Sequence, residues 1–124
     1  MTKLEALRKQ YSSAVERFEE SLRAEKSEMA RDSAIIRFEF TFDLSWKIVK
    51  AFLEENRGLK CVSPVTCFQE AYHQSLIDYD DVWIKMVKDR NFVAHVYKEE
   101  KAEMLYSKFS GYLKLFKDLL SKIK

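Results

Sequence analysis

The sequence predicts an all-α fold, an antiparallel up-and-down four-helix bundle with an extra short helix, and three observations lead there. Of 124 residues, 47% are hydrophobic and 34% charged, the balance expected of amphipathic helices. Glycine occurs twice and proline once, which leaves little material for the tight turns of a β-rich fold. Apolar residues recur at spacings of three and four along most of the chain. The length suits one helical domain over residues 1–124, enough to bury a core and too short for two.

Each element has its own warrant. Leu4, Leu7, Tyr11, Ala14, Val15, Phe18 and Leu22 form one apolar stripe of a first helix ending near Arg23 to Lys26. Ser27 to Asp32 lacks large apolar residues and reads as a connection, with Asp32 or Ser33 as the caps of a second helix that runs to about Arg57. In that helix Phe38, Phe40 and Phe42 alternate as in a strand, but length and the lack of turn residues decide for helix. Ile36, Phe40, Leu44 and Ile48 make a second stripe on it, so contact on two sides is expected, one of them a partner subunit. Gly58 suits its C-terminal stop, and Ser63-Pro64 a helix start with the serine as cap. A short third helix follows through Leu76. Asp78 or Asp80 is placed to cap a fourth, carrying Val82, Trp83, Met86 and Val87. A last helix spans Ala102 to Ile123, with Gly111 inside it, either for close approach of a neighbour or by simple tolerance.

Net charge is only +2, so any nucleic-acid site has to be a local patch. The N-terminal residues carry neither a secretory pattern nor an apolar run long enough for a bilayer, and a soluble cytoplasmic protein is expected. In that compartment Cys61 and Cys67 are expected as reduced thiols. With His73 they make a poor metal site, since zinc prefers shorter spacings and four ligands, and no cofactor is expected.

Chemistry concentrates in Arg90-Asn91-Phe92-Val93-Ala94-His95-Val96-Tyr97. Arginine supplies a permanent cation with a planar fork suited to phosphate, and histidine moves protons near neutral pH. On a regular helix, at about 100° per residue, Arg90 and His95 would lie roughly 140° apart and could not share one phosphate. Either the helix ends or distorts between them, or a two-fold axis joins motifs from two subunits. Asn91 and His95 do share a face at i, i+4. The bland alternative pairs Arg90 with Asp89 or Glu99 and leaves His95 structural.

The chain resembles the HEPN superfamily, and specifically its HepT-like group of nucleotidyltransferase substrate-binding proteins. The resemblance rests on Arg90, His95 and Tyr97 as the Arg-x4-His-x-Tyr element, on the run Arg37 to Lys47, on the Ser63-Pro64 start and on the Leu76-Ile77-Asp78 turn. It implies a bundle that dimerises around the motif and works beside a small MNT-type nucleotidyltransferase. Two functions follow from it. In one, the chain is a metal-independent ribonuclease toxin: Arg90 and His95 are catalytic, Asn91 supports them, and AMP transferred by the partner to Tyr97 silences RNA cleavage. In the other, it is a non-catalytic subunit that presents a substrate or nucleotide to the partner.

Three further features carry less. Glu39 and Asp43 form an i, i+4 carboxylate pair, with an internal salt-bridge network to Arg37 and Lys47 as the simpler reading. Phe38, Phe40, Phe42 and Trp46 could stack bases, but core burial is the default. Lys114, Lys117, Lys122 and Lys124 could attract RNA or simply solvate a helix face.

Overall fold

Six α-helices and one 3-10 turn, with no strand among the described residues, make up the computed structural model, which describes residues 1–123. Helix α1 spans Lys3–Arg23, α2 Glu28–Arg57, α3 Pro64–His73, α4 Asp81–Phe92, α5 Glu99–Tyr106 and α6 Phe109–Lys122. Thr2 caps α1 by accepting the Glu5 N–H at 3.1 Å. Ser63 and Thr66 form a reciprocal capping box at the start of α3. Gly58 ends α2 in the left-handed region at φ 64°, where glycine avoids the Cβ penalty, and donates to the Leu53 carbonyl.

Three boundaries differ from the sequence expectation, each for a physical reason, and one expected cap makes no bond. The α2 helix starts at Glu28, not after Asp32 or Ser33, because Ser27 accepts the Ala30 N–H at 3.0 Å. The polar first turn that resembled a loop is held down by Arg31, which is buried and bonded to Glu99 at 2.7 Å and Glu103 at 3.3 Å. Helix α3 stops at His73, short of Leu76, where Ser75 turns the chain at φ 61°. Asp80 does occupy the residue before α4 but with helical φ and ψ, and its side chain makes no capping bond. The expected last helix is two, broken at Ser107 and Lys108, where Ser107 Oγ donates back to the Met104 carbonyl at 2.6 Å and Lys108 reaches Asp89. A Cβ on Gly111 would meet nothing within 4 Å, so that glycine is simple tolerance.

The helices alternate in direction. Thr41 of α2 donates to the Ala14 carbonyl of α1 while Phe38 meets Phe18, an antiparallel register. Tyr11 meets Phe116 and Phe18 meets Phe109, so α6 also runs against α1. Trp83 meets Phe116 and Asp89 meets Tyr112, which sets α4 against α6. Thus α1, α2, α4 and the α5–α6 pair make the four-helix bundle, with α3 as the extra short helix. Helix α2 is its axis and packs against the other five.

Phe38 sits at the centre, fully buried among Phe18, Phe42, Phe109, Tyr112 and Phe116. Buried polar groups are answered locally: Tyr11 donates to the Phe116 carbonyl at 2.8 Å, and Thr41 to that of Arg37 at 2.6 Å. The second α2 stripe divides, since Ile48 is buried while Ile36 is exposed and Phe40, half-buried, lies under the Arg17 guanidinium. The aromatics of the Arg37 to Lys47 run are therefore mainly core.

Cys61 and Cys67 are joined as a disulfide, which corrects the expectation of reduced thiols. The Ser63-Pro64 cap folds the segment back on the first turn of α3 and brings the two Cα atoms to 5.1 Å, within bonding range. Among the described residues no helix is long and apolar enough to cross a membrane. Truncating the central ring tests the packing: Phe38→Ala is expected to cost about 3–5 kcal/mol in urea unfolding, the usual penalty for emptying a fully packed aromatic site. A loss under about 1 kcal/mol would mean that the ring is not central.

Candidate functional site

Helix α4 buries Trp83, Met86 and Val87, and this fixes the direction in which its last turn points. Arg90, one turn beyond Met86 and Val87, lies at the margin of that buried face and reaches α2. Its Nε donates to Asp43 Oδ1 at 3.0 Å and its Nη2 to Asp43 Oδ2 at 3.1 Å, a bidentate pair, while Nη2 also meets Glu39 Oε2 at 3.1 Å. The Asp43 bonds raise the guanidinium's pKa above its ordinary value, outweighing the opposing effect of partial burial.

This arrangement replaces two expectations. Glu39 and Asp43 serve Arg90, whereas Arg37 donates to the Arg17 carbonyl at 2.7 Å. Asp89 does not pair with Arg90 but accepts from the Tyr112 hydroxyl at 2.5 Å and from Lys108 at 3.1 Å. Glu99 is likewise taken by Arg31. The i, i+4 spacing of the α2 carboxylates was the available signal, but choosing their cation needed the α2–α4 crossing.

The helix does end between Arg90 and His95. Helix α4 stops at Phe92, and Val93–His95 tighten into a 3-10 turn. Val93 and Val96 pack against the core, so the residues between and around them face outward. Asn91 and His95 are exposed, and Tyr97 is 80% exposed. The His95 ring lies 5.8 Å from that of Phe92, with the Lys101 ammonium 5.5 Å from the Phe92 centroid. Arg90 is thus turned toward α2 while His95 packs with Phe92. The i, i+4 face expected of Asn91 and His95 does not apply once the helix gives way to the 3-10 turn.

Both ends of the exposed segment are anchored on α2. Arg90 ties its start to Asp43 and Glu39, and Arg31 ties its end through Glu99 and Glu103. Glu103 is held below its ordinary carboxylate pKa chiefly by the Lys26 ammonium, with Arg31 adding to it. Sequence reasoning missed Arg31 because a buried cation is rare and its partners lie far along the chain. At the Arg90 cluster two carboxylates face one guanidinium, a local net charge of −1.

Among the described residues no group of three or more His, Cys, Asp or Glu side chains is placed to hold a metal ion. Cys61 and Cys67 are bonded to each other, and His73 is exposed beside Glu70. Lys117 pairs with Glu19 and Lys122 with Asp78, so two of the C-terminal lysines are engaged within the fold; Lys124 lies outside the described residues.

Two measurements check this geometry. Acetylation with N-acetylimidazole should label Tyr97 and Tyr79 early and Tyr11 and Tyr112 last, in keeping with their exposures; early labelling of Tyr11 or protection of Tyr97 would contradict the placement. Burial, aided by the bond to Asp89, raises the Tyr112 pKa above its ordinary 10.0. A raised acid keeps its stabilising contribution below the unfolded pKa and loses it as pH climbs toward the folded value. Stability should therefore fall above about pH 10, and Tyr112→Phe should make that alkaline decline shallower in thermal unfolding; an unchanged slope would contradict the assignment.

No curated protein matches the chain. A solved structure from Thermus thermophilus has a TM-score of 0.87 at 30% identity, covering 92% of this chain and 98% of that one. A second, from Haemophilus influenzae and described as revealing the fold of a substrate-binding domain of a nucleotidyltransferase, has a TM-score of 0.72 at 22% identity, covering 97% and 96%, and shares the fold. The family described as nucleotidyltransferase substrate binding protein like matches residues 2–124. With the whole described bundle inside that match, the chain belongs to the nucleotidyltransferase substrate-binding-protein-like family.

Proposed function

We propose that the chain is a non-catalytic subunit that holds a substrate or nucleotide for a separate nucleotidyltransferase. The observation that carries this reading is the state of Arg90. Phosphodiester cleavage without a metal needs a cation aimed at the developing charge on phosphorus, beside a proton-transfer group. Here the guanidinium is occupied by Asp43 and Glu39, and His95 lies on the 3-10 turn with its ring against Phe92. The exposed Asn91, His95 and Tyr97 suit recognition of a ligand or partner surface. Family membership supports the same reading.

The exposure of Tyr97 favours a second reading, the ribonuclease toxin. A phenol this accessible is open to AMP transfer by an MNT-type partner, and the added phosphate would repel RNA from the motif. In that case two copies face each other, Arg90 leaves its carboxylates, and His95 acts as general base or acid on RNA. Incubating the purified chain with RNA, alone and with the partner and ATP, separates the two. The binding-subunit reading expects no cleavage by the chain alone, a stable complex with the partner, and labelling elsewhere than Tyr97. Cleavage that disappears in both His95→Ala and Arg90→Ala, with labelling at Tyr97, would overturn it in favour of the toxin.

A further inference from the structure

Trp83 departs from the pattern of locally answered polar groups. It is 1% exposed, and its ring is fixed against Phe68, stacked at 4.6 Å, and Phe116, at 5.8 Å. An indole N–H can only donate, and a buried one normally finds an acceptor. Among the described residues the Trp83 Nε1–H has none, yet the one side-chain nitrogen or oxygen sealed from solvent without a partner is Arg8 Nε. The Trp83 N–H therefore keeps an outlet, and the space that Trp83 lines is a cavity of about 180 Å³ between the α3–α4 connection and α6. A rigid, unanswered donor opens into it.

We propose that this cavity is a binding site for a small neutral heteroaromatic ring that presents a ring nitrogen or carbonyl oxygen to Trp83 Nε1. The walls set the shape: Leu76, Ile77, Val82, Leu115 and Leu119 surround the indole with apolar surface. A cavity of roughly 150 Å³ holds one benzene ring, so the space here suits a single or small fused ring. Water fills it poorly, because a buried water needs two to four polar partners and the apolar walls supply almost none. A ring that displaces such water and accepts from the indole gains on both counts. The mouth fixes the charge: Lys114 and Lys122 are balanced by Asp78 and Asp118, with Lys122 bonded to Asp78 at 3.2 Å, so no net charge recruits an ion. An ionised group would also lose its hydration against the apolar walls. The proposal is separate from the reading of the motif face, since the cavity lies where α4 begins and the motif where it ends.

Indole and 7-azaindole form a matched pair of probes, nearly identical in shape and each with one N–H donor, of which only 7-azaindole carries an acceptor nitrogen. A cavity that offered apolar contact alone would rank the less polar indole first; the Trp83 donor reverses the order. Titrating the full chain at neutral pH while recording nitrogen-15 spectra reads this at the donor itself. The chain has two tryptophans, and Trp46→Phe assigns the Trp83 Nε1–H signal. The 7-azaindole complex should move that signal downfield and bind about fivefold more tightly than indole, the effect of one added neutral hydrogen bond. The preference should disappear in Trp83→Phe, and Leu115→Trp, which fills the cavity from its partly buried wall, should abolish binding of both probes. Circular dichroism verifies folding, and Leu115→Trp decides the matter if Trp83→Phe unfolds. Indole binding as tightly as 7-azaindole, movement of the Trp46 signal in place of Trp83, binding that survives Leu115→Trp in a folded chain, or no binding of either probe would overturn the proposal.

Discussion

Burial of one face of α2 is the constraint on which the rest of the molecule depends. Thirty residues without a break give a helix of about 45 Å, long enough for every other α-helix to find a place along it. Ala34, Ile35, Phe38, Phe42, Ile48, Val49, Phe52 and Leu53 are buried along its length. Removing such surface from water is the dominant favourable term in folding, and the stacked and edge-on rings around Phe38 add a preferred geometry. With that face inward, the helix has no freedom of rotation left. The positions of Glu39, Asp43 and Arg31 follow from it.

The same rotation joins the core to the candidate site. Once Phe38 and Phe42 point inward, Glu39 and Asp43 must come out on the flank that α4 crosses, where Arg90 meets them. Arg31, three turns earlier, meets Glu99 and Glu103 on α5. The exposed motif segment is suspended between these ion-pair anchors, so its backbone is positioned while Asn91, His95 and Tyr97 remain open to solvent. An arginine that looked like the reactive member of the motif is, in the free chain, its attachment to the scaffold. This leaves His95 and Tyr97 as exposed polar side chains of the segment, while the α2 carboxylates hold its arginine.

Much of this was legible in the sequence, and what was not has physical causes. The all-α class, the Gly58 stop and the Ser63-Pro64 start all rest on local chemistry, which a sequence displays directly, whereas the end of α4 between Arg90 and His95 was only one of two ways the spacing left open. The first turn of α2 was hidden because its stability comes from Arg31 reaching residues about seventy positions away. The break between α5 and α6 was hidden because no glycine or proline marks it; Ser107 and Lys108 turn the chain through a side-chain bond and a contact with α4. The Cys61–Cys67 bond contradicts a reading drawn from compartment alone, which ignored how closely a capped turn brings the two residues. At the site, the spacing of Glu39 and Asp43 was visible, but Arg37, Lys47 and Arg90 were equally available partners until the crossing of α2 and α4 was known.

The central claim is that α2 holds Arg90 in a bidentate pair with Asp43, and nitrogen-15 resonance of the arginine side chain reads it most directly. A guanidinium gripped on Nε and Nη2 exchanges its Nε proton slowly, because the bond must open before water can take the proton. The account predicts a resolved, protected Arg90 Nε–H signal at neutral pH in the wild-type chain, lost in Asp43→Asn while the backbone spectrum of the core is retained. An Arg90 signal that exchanges in the wild type as fast as those of exposed arginines would contradict it.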